Sequence, residues 1–200
     1  MSSNKKFNNI FILFLSAWCG YYIYIALSTN NGRLLTCLAL FPLLVFPKVL
    51  RIFKVKINPI TETFYLMFIF LAQFLGSVIN FYSMIDWFDT FTHFLSGIGS
   101  GFIAFLLLVK LKHYNKKDLF FNTLFIMATV FLIAGVWELF EFSMDQYTGS
   151  NLQHHLDTGV IDTMWDTVAA ATGGVIFVFI YLIESVVRKS IIYKFIDTIE

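Results

Sequence analysis

Asp86, Asp89 and His93 stand at positions i, i+3 and i+7, and Glu138, Glu141 and Asp145 repeat that spacing. On a helix each trio shares one face. Asp162 and Asp166 form a further pair one turn apart. All three groups sit at the ends of hydrophobic segments long enough to cross a bilayer, where an ionisable side chain is costly and is read first as functional. Several carboxylates gathered in a low-dielectric site cannot all stay ionised without compensation. That compensation comes from shared protons, from His93 as a cation, or from a metal ion. An oxygen-rich site with one imidazole suits a divalent ion such as Mg, Mn or Zn, and the spacing does not choose among them. The expected ligands are Asp89, His93, Glu138 and Asp166. Glu141 and Asp162 are expected as general base or as supports to the ligands, and Asp86, Asp145, His154 and His155 are further candidates.

Each feature also has a plainer reading. Asp86, Asp89 and Asp162 lie near the starts of helical segments, where the helix dipole favours negative charge by about 0.3 to 1 kcal/mol. That reading fails for Glu138 and Glu141, which sit at the carboxyl end of their segment. A lone histidine in such a helix is more often a packing residue than a ligand; His93 differs in its company of acids. His154 and His155 are adjacent, so their side chains diverge, and a solvated loop is their default. Trp87, Trp137 and Trp165 fit an interfacial aromatic belt.

The elements that must position these groups are membrane helices. In a chain of 200 residues, 58% are hydrophobic and only 14% charged, too little polar surface for a soluble globule of this size. A bilayer core about 30 Å thick needs roughly 20 helical residues. Six apolar segments qualify, at about residues 7–27, 33–50, 61–82, 93–109, 119–141 and 163–187. The second is the weakest, because it contains Pro42 and ends at Pro47, so a kinked or re-entrant segment competes with a full span. The expected fold is an all-α integral membrane bundle of about six helices in one domain, residues 1–200.

Basic residues orient it. Lys5 and Lys6 precede the first segment; Lys48, Arg51, Lys54 and Lys56 follow the second; Lys110, Lys112, Lys116 and Lys117 follow the fourth; Arg188, Lys189 and Lys194 follow the sixth. If all six cross, these share one side and only Arg33 lies opposite, so the positive-inside rule puts both termini in the cytoplasm. The acids and histidines then face outward, together with a longer connection over residues 146–161. Phe, Ile and Lys usage suits a bacterial cytoplasmic (inner) membrane.

Small residues Ser96, Gly97, Ser100 and Gly101 in the fourth segment, and Ala169, Ala170, Gly173 and Gly174 in the sixth, let two backbones approach closely. Cys19 and Cys37 fall at different expected depths, which argues against a bridge. A net charge of +1 without a basic stripe excludes nucleic acid as a partner.

The strings Asp89-x3-His93-Phe94, Trp137-Glu138-x2-Glu141 and Asp162-x3-Asp166-x6-Gly173 resemble those of the VanZ-like superfamily of small polytopic bacterial membrane proteins. The run Asp162-Thr163-Met164-Trp165-Asp166 is similar to the Asp-Thr-x-Trp-Asp string of its YjdF-type branch. The resemblance covers about residues 86–174 and implies an integral cell-envelope protein with a polar site at one membrane face; it supplies no chemistry.

The residues themselves point first to a metal-assisted hydrolase or transferase acting on a membrane lipid or lipid-linked envelope substrate at the outer leaflet. A cation or proton transporter is the second reading. A non-catalytic scaffold whose outer acids bind a partner is the third.

Overall fold

The computed structural model describes residues 2–29, 34–54, 57–187 and 192, and every regular element among them is helical. In chain order these are α1 (Ser2–Thr29), α2 (Leu34–Ile52), α3 (Pro59–Ile69, continued as a π-helix over Phe70–Val78), α4 (Phe81–Met84), α5 (Phe88–Lys110), α6 (Leu119–Thr148), α7 (His155–Thr158) and α8 (Ile161–Val187). Arg33, Lys56, Arg188, Lys189 and Lys194, which the charge argument used, lie outside the described residues, as does the side chain of His155.

Five of the described helices are long and apolar enough to cross a membrane: Asn4–Thr29, Pro59–Val78, Phe88–Lys110, Leu119–Thr148 and Ile161–Val187. They leave large apolar side chains open on their outer faces, Leu13 in α1, Leu132 in α6 and Phe179 in α8 among them. Water would not tolerate such faces; lipid does. The second expected span is a helix of 19 residues with Pro42 and Pro47 inside it, and it is not among the five. Its apolar run ends at Lys48, well short of a bilayer's thickness.

The chain divides into two compact units, one reaching to Phe88 and the other beginning at Asp89. In the first, Ile12, Leu15 and Cys19 of α1 and Cys37, Leu40 and Leu44 of α2 carry the same i, i+3, i+7 spacing, and both stripes are buried against Leu66, Ile69, Phe74 and Val78. Cys19 donates its thiol proton to the Cys37 carbonyl at 2.9 Å, and both cysteines are free. The helix ends are joined by polar groups: Asn8 Nδ2 donates to the Pro59 carbonyl at 2.9 Å and to Glu62 Oε2 at 3.1 Å, and Arg51 pairs with Glu62. Asn58 caps α3 by accepting the Ile60 amide at 2.9 Å, with Pro59 opening the helix. The third span stops at Val78 rather than near Tyr82, because Asn80 takes a left-handed conformation with φ +79° that no helix can continue through.

The second unit is built from α5, α6 and α8. Ala104, Phe105, Leu108, Ile126, Phe177, Val178 and Tyr181 form its apolar centre. Asn122, fully buried, donates to the Tyr181 hydroxyl and to the Asn115 carbonyl, both at 2.8 Å. Asp118 starts α6 by accepting the Phe121 amide, and Gly149 ends it at φ +69°. Helices α5 and α8 touch where small residues predict it: a Cβ on Gly97 would strike the Ala170 carbonyl, and one on Gly173 the Phe94 carbonyl.

Candidate functional site

The buried members of the site, His93, Glu138 and Asp166, enter it because each lies at one end of a buried stripe. On α5 the buried positions are Phe88, Thr92, His93, Gly97, Ser100, Gly101, Ala104, Phe105 and Leu108. On α6 they recur every fourth residue, through Asn122, Ile126, Val130, Ala134 and Glu138. On α8 they run Asp166, Ala169, Ala170, Gly173, Gly174 and Phe177. The helical period that packs these stripes together turns His93, Glu138 and Asp166 toward one another and away from lipid.

His93 is the hub. Its Nε2 lies 3.7 Å from Asp89 Oδ1 and 3.9 Å from Asp166 Oδ2. Three sets of possible ligand atoms come within 4.8 Å of one another: Asp89, His93 and Asp166; His93, Glu138 and Glu141; and Asp89, His154 and Asp162. All seven side chains belong to the second unit. His93, Glu138 and Asp166 are buried, whereas Asp89, Glu141, His154 and Asp162 are half-buried, so the site grades from a closed floor to an open mouth.

Asp145 has a different part from the one its spacing suggested. Its Oδ1 accepts the Leu152 amide and the Ser150 hydroxyl, each at 2.7 Å, and its Oδ2 accepts the Gln153 amide at 3.1 Å. It belongs to none of the three ligand sets; it folds the loop that follows α6 back over the helix end. That loop lays Gln153 on the site, where Nε2 donates to the Glu138 carbonyl at 3.1 Å and to Glu138 Oε2 at 3.3 Å. The next residue, His154, adopts a left-handed φ of +48° and comes beside Asp89 and Asp162.

Asp86 departs from the expected pattern. It is exposed and lies in a turn ahead of α5, which starts only at Phe88, so it is not on the helix that carries Asp89 and His93. His155 opens α7. Glu141 gains a partner not expected from the sequence, where Trp137 reads as part of an aromatic belt: Trp137, one turn earlier, donates Nε1 to Glu141 Oε1 at 2.8 Å. Gln153 and Thr163, which share a hydrogen bond at 3.3 Å, carry no ionisable group and gave no signal in the sequence.

Two observations bear on what the site can hold. Glu138 is only 7% exposed, and its Oε1 is buried without a hydrogen-bond partner, an arrangement that costs about 1–3 kcal/mol unless a ligand or proton meets it. No Lys or Arg occurs in residues 57–109 or 118–187, and the one basic residue within α5, Lys110, closes that helix at the end opposite Asp89 and His93. The His93 separations of 3.7 and 3.9 Å are too long for hydrogen bonds and close to the spacing of two ligands about 2.0–2.2 Å from one ion. The donor set of imidazole and carboxylate fits a divalent cation.

A model of the family described as Predicted membrane protein (DUF2238) matches residues 8–185. That match agrees with the YjdF-type part of the resemblance read from the motifs and carries nothing for the wider VanZ-like superfamily. Neither the curated proteins nor the solved structures gave a match.

Proposed function

Because the chain belongs to this family of predicted membrane proteins, we propose that its multi-pass bundle carries a divalent-metal site at the outer face of a bacterial cytoplasmic membrane, where it hydrolyses or transfers a group from a membrane lipid or lipid-linked substrate. The observation that carries the reading is the buried Glu138 carboxylate with an unpartnered oxygen, grouped with His93 and Glu141. A buried acceptor of this kind costs about 1–3 kcal/mol until a ligand or proton meets it, and a divalent ion held by the neighbouring imidazole and carboxylates would meet it.

The chain's own residues divide the work. His93, Glu138, Asp89 and Asp166 hold the ion. Glu141, oriented by the Trp137 indole, and the half-buried Asp162 are placed to take a proton at the mouth. Gln153 fixes the Glu138 carboxylate from the loop side, as an outer partner that orients a ligand. The ion itself would activate water or polarise a substrate oxygen. Lipid has direct access because Ile161, Met164 and Trp165, on the exposed side of the same turn of α8, are open.

Transport is supported less well. Among the described residues of the second unit, the buried positions between the site and the Asn122–Tyr181 pair are glycine, alanine and larger apolar residues apart from Ser100, with one hydroxyl among them and no ionisable group. A path for ions would need a longer polar series.

The test is turnover. Purified protein stripped with chelator, reloaded with Mn2+ and mixed with envelope phospholipids and polyprenyl diphosphates should release a new product only after reloading. Ion-independent product, or none from either substrate class, would overturn the enzyme reading.

A further inference from the structure

The three ligand sets are not equivalent. Two of them share no residue: His93, Glu138 and Glu141 form one, and Asp89, His154 and Asp162 form the other. Each offers one imidazole and two carboxylates, which a single divalent cation brings to neutrality. The first set is deeper, with His93 and Glu138 buried; the second is half-buried throughout. Asp166, itself buried, has ligand atoms within 4.8 Å of both Asp89 and His93, one member of each set.

We propose that the site holds two divalent cations: an inner ion on His93, Glu138 and Glu141, and an outer ion on Asp89, His154 and Asp162, with Asp166 bridging them. This rests on the metal-site reading above and refines it: Glu141 and Asp162, given there as proton acceptors, here become ligands of the inner and the outer ion.

Charge supports two ions over one. The cluster contains five carboxylates, and residues 57–109 and 118–187 contribute no Lys or Arg. One divalent ion would leave three negative charges packed together at the membrane boundary; two leave one. Geometry supports it as well. One ion on the middle set of Asp89, His93 and Asp166 would leave the unpartnered Glu138 oxygen unanswered. The inner position answers it. Asp89 and His93, which belong to different sets, lie 3.7 Å apart, so the two positions are neighbours. Paired catalytic ions stand about 3.5–4 Å apart and clamp the attacking and leaving oxygens of a phosphoryl group. The substrate class is then a lipid phosphate ester or diphosphate.

The experiment uses the full chain in detergent, loaded with Mn2+, with ion stoichiometry and electron paramagnetic resonance as readouts. Wild type should bind two Mn2+ per chain with the broadened spectrum of a coupled pair. His154→Gly, which accommodates the positive φ without strain, and Asp162→Asn should each bind one and show the resolved spectrum of an isolated ion. One ion in wild type, unchanged in His154→Gly and Asp162→Asn but lost in Glu138→Gln, would overturn the pair and leave the single-ion site standing. Two coupled ions retained in both outer variants would overturn the assignment of the outer position. No bound Mn2+ in wild type would overturn the pair and the metal site together.

Discussion

His93 Nε2 and Asp166 Oδ2 face each other at 3.9 Å across the contact between α5 and α8, and that approach depends on glycine. One turn from His93, Gly97 lies against the Ala170 carbonyl, and Gly173 of α8 lies against the Phe94 carbonyl. Neither has room for a methyl group.

Gly97→Ala and Gly173→Ala should therefore each lower stability by about 1–3 kcal/mol or more, since the obstructing atoms are backbone and cannot rotate away. Gly135 of α6 is open on the side where a Cβ would stand, so Gly135→Ala should be neutral or stabilising by up to about 1 kcal/mol. Thermal melting of the three variants in one detergent makes the comparison. Equal behaviour would contradict the close crossing.

Asp145→Ala removes the acceptor for Ser150, Leu152 and Gln153 while touching no proposed ligand. The loop that carries Gln153 and His154 should loosen, and Mn2+ affinity should fall by about tenfold, the lower end expected for a residue that acts through others. Asp145→Asn, which keeps one acceptor oxygen, should recover part of the loss. Titration of the purified variants with Mn2+ would show it; wild-type affinity in Asp145→Ala would mean the loop has no part in the site.

Asn122 and Tyr181 test the opposite separation. Both are fully buried, and Asn122 also ties the Asn115 carbonyl, so Asn122→Leu should cost about 1–3 kcal/mol. Mn2+ binding should stay unchanged, because the pair lies several turns from Glu138 along the same stripe of α6. A parallel loss of ion binding would join the two regions.

Orientation is open to labelling. Tyr147, at the end of α6, is 89% exposed, and the native Cys19 and Cys37 are buried, so Tyr147→Cys offers one reactive thiol. An impermeant maleimide applied to intact cells should label it if the acidic face lies outside. Labelling only after lysis would reverse the topology and place the site in the cytoplasm.

Much of the fold and part of the site could be read in the sequence, for identifiable reasons. Periodicity is strong in long apolar helices, so the five spans were legible, and so was the α5–α8 contact from its small residues. The i, i+3 spacing of Glu138 and Glu141 held because both lie within α6. The matching trio failed at Asp86 because Asn80 breaks the third span and α5 starts only at Phe88; identical spacing says nothing about whether a helix continues through it. Asp145 looked like a third acid of the site and instead organises a loop, since a carboxylate near a helix end serves either purpose and only the following chain decides. Gln153 was invisible because its position depends on that loop. Adjacent histidines could not be ranked from sequence, and a left-handed backbone at His154 is what brings that one to Asp89 and Asp162.

The central claim is that these side chains share bound metal, and equilibrium binding of Mn2+ to purified wild type, Glu138→Gln and His93→Ala tests it most directly. Glu138→Gln preserves shape while removing charge, and Gln153 still has an oxygen to meet. Shared metal requires saturable binding in wild type and a loss of about tenfold or more in both variants. Absence of binding in wild type, or equal binding in all three proteins, would contradict it.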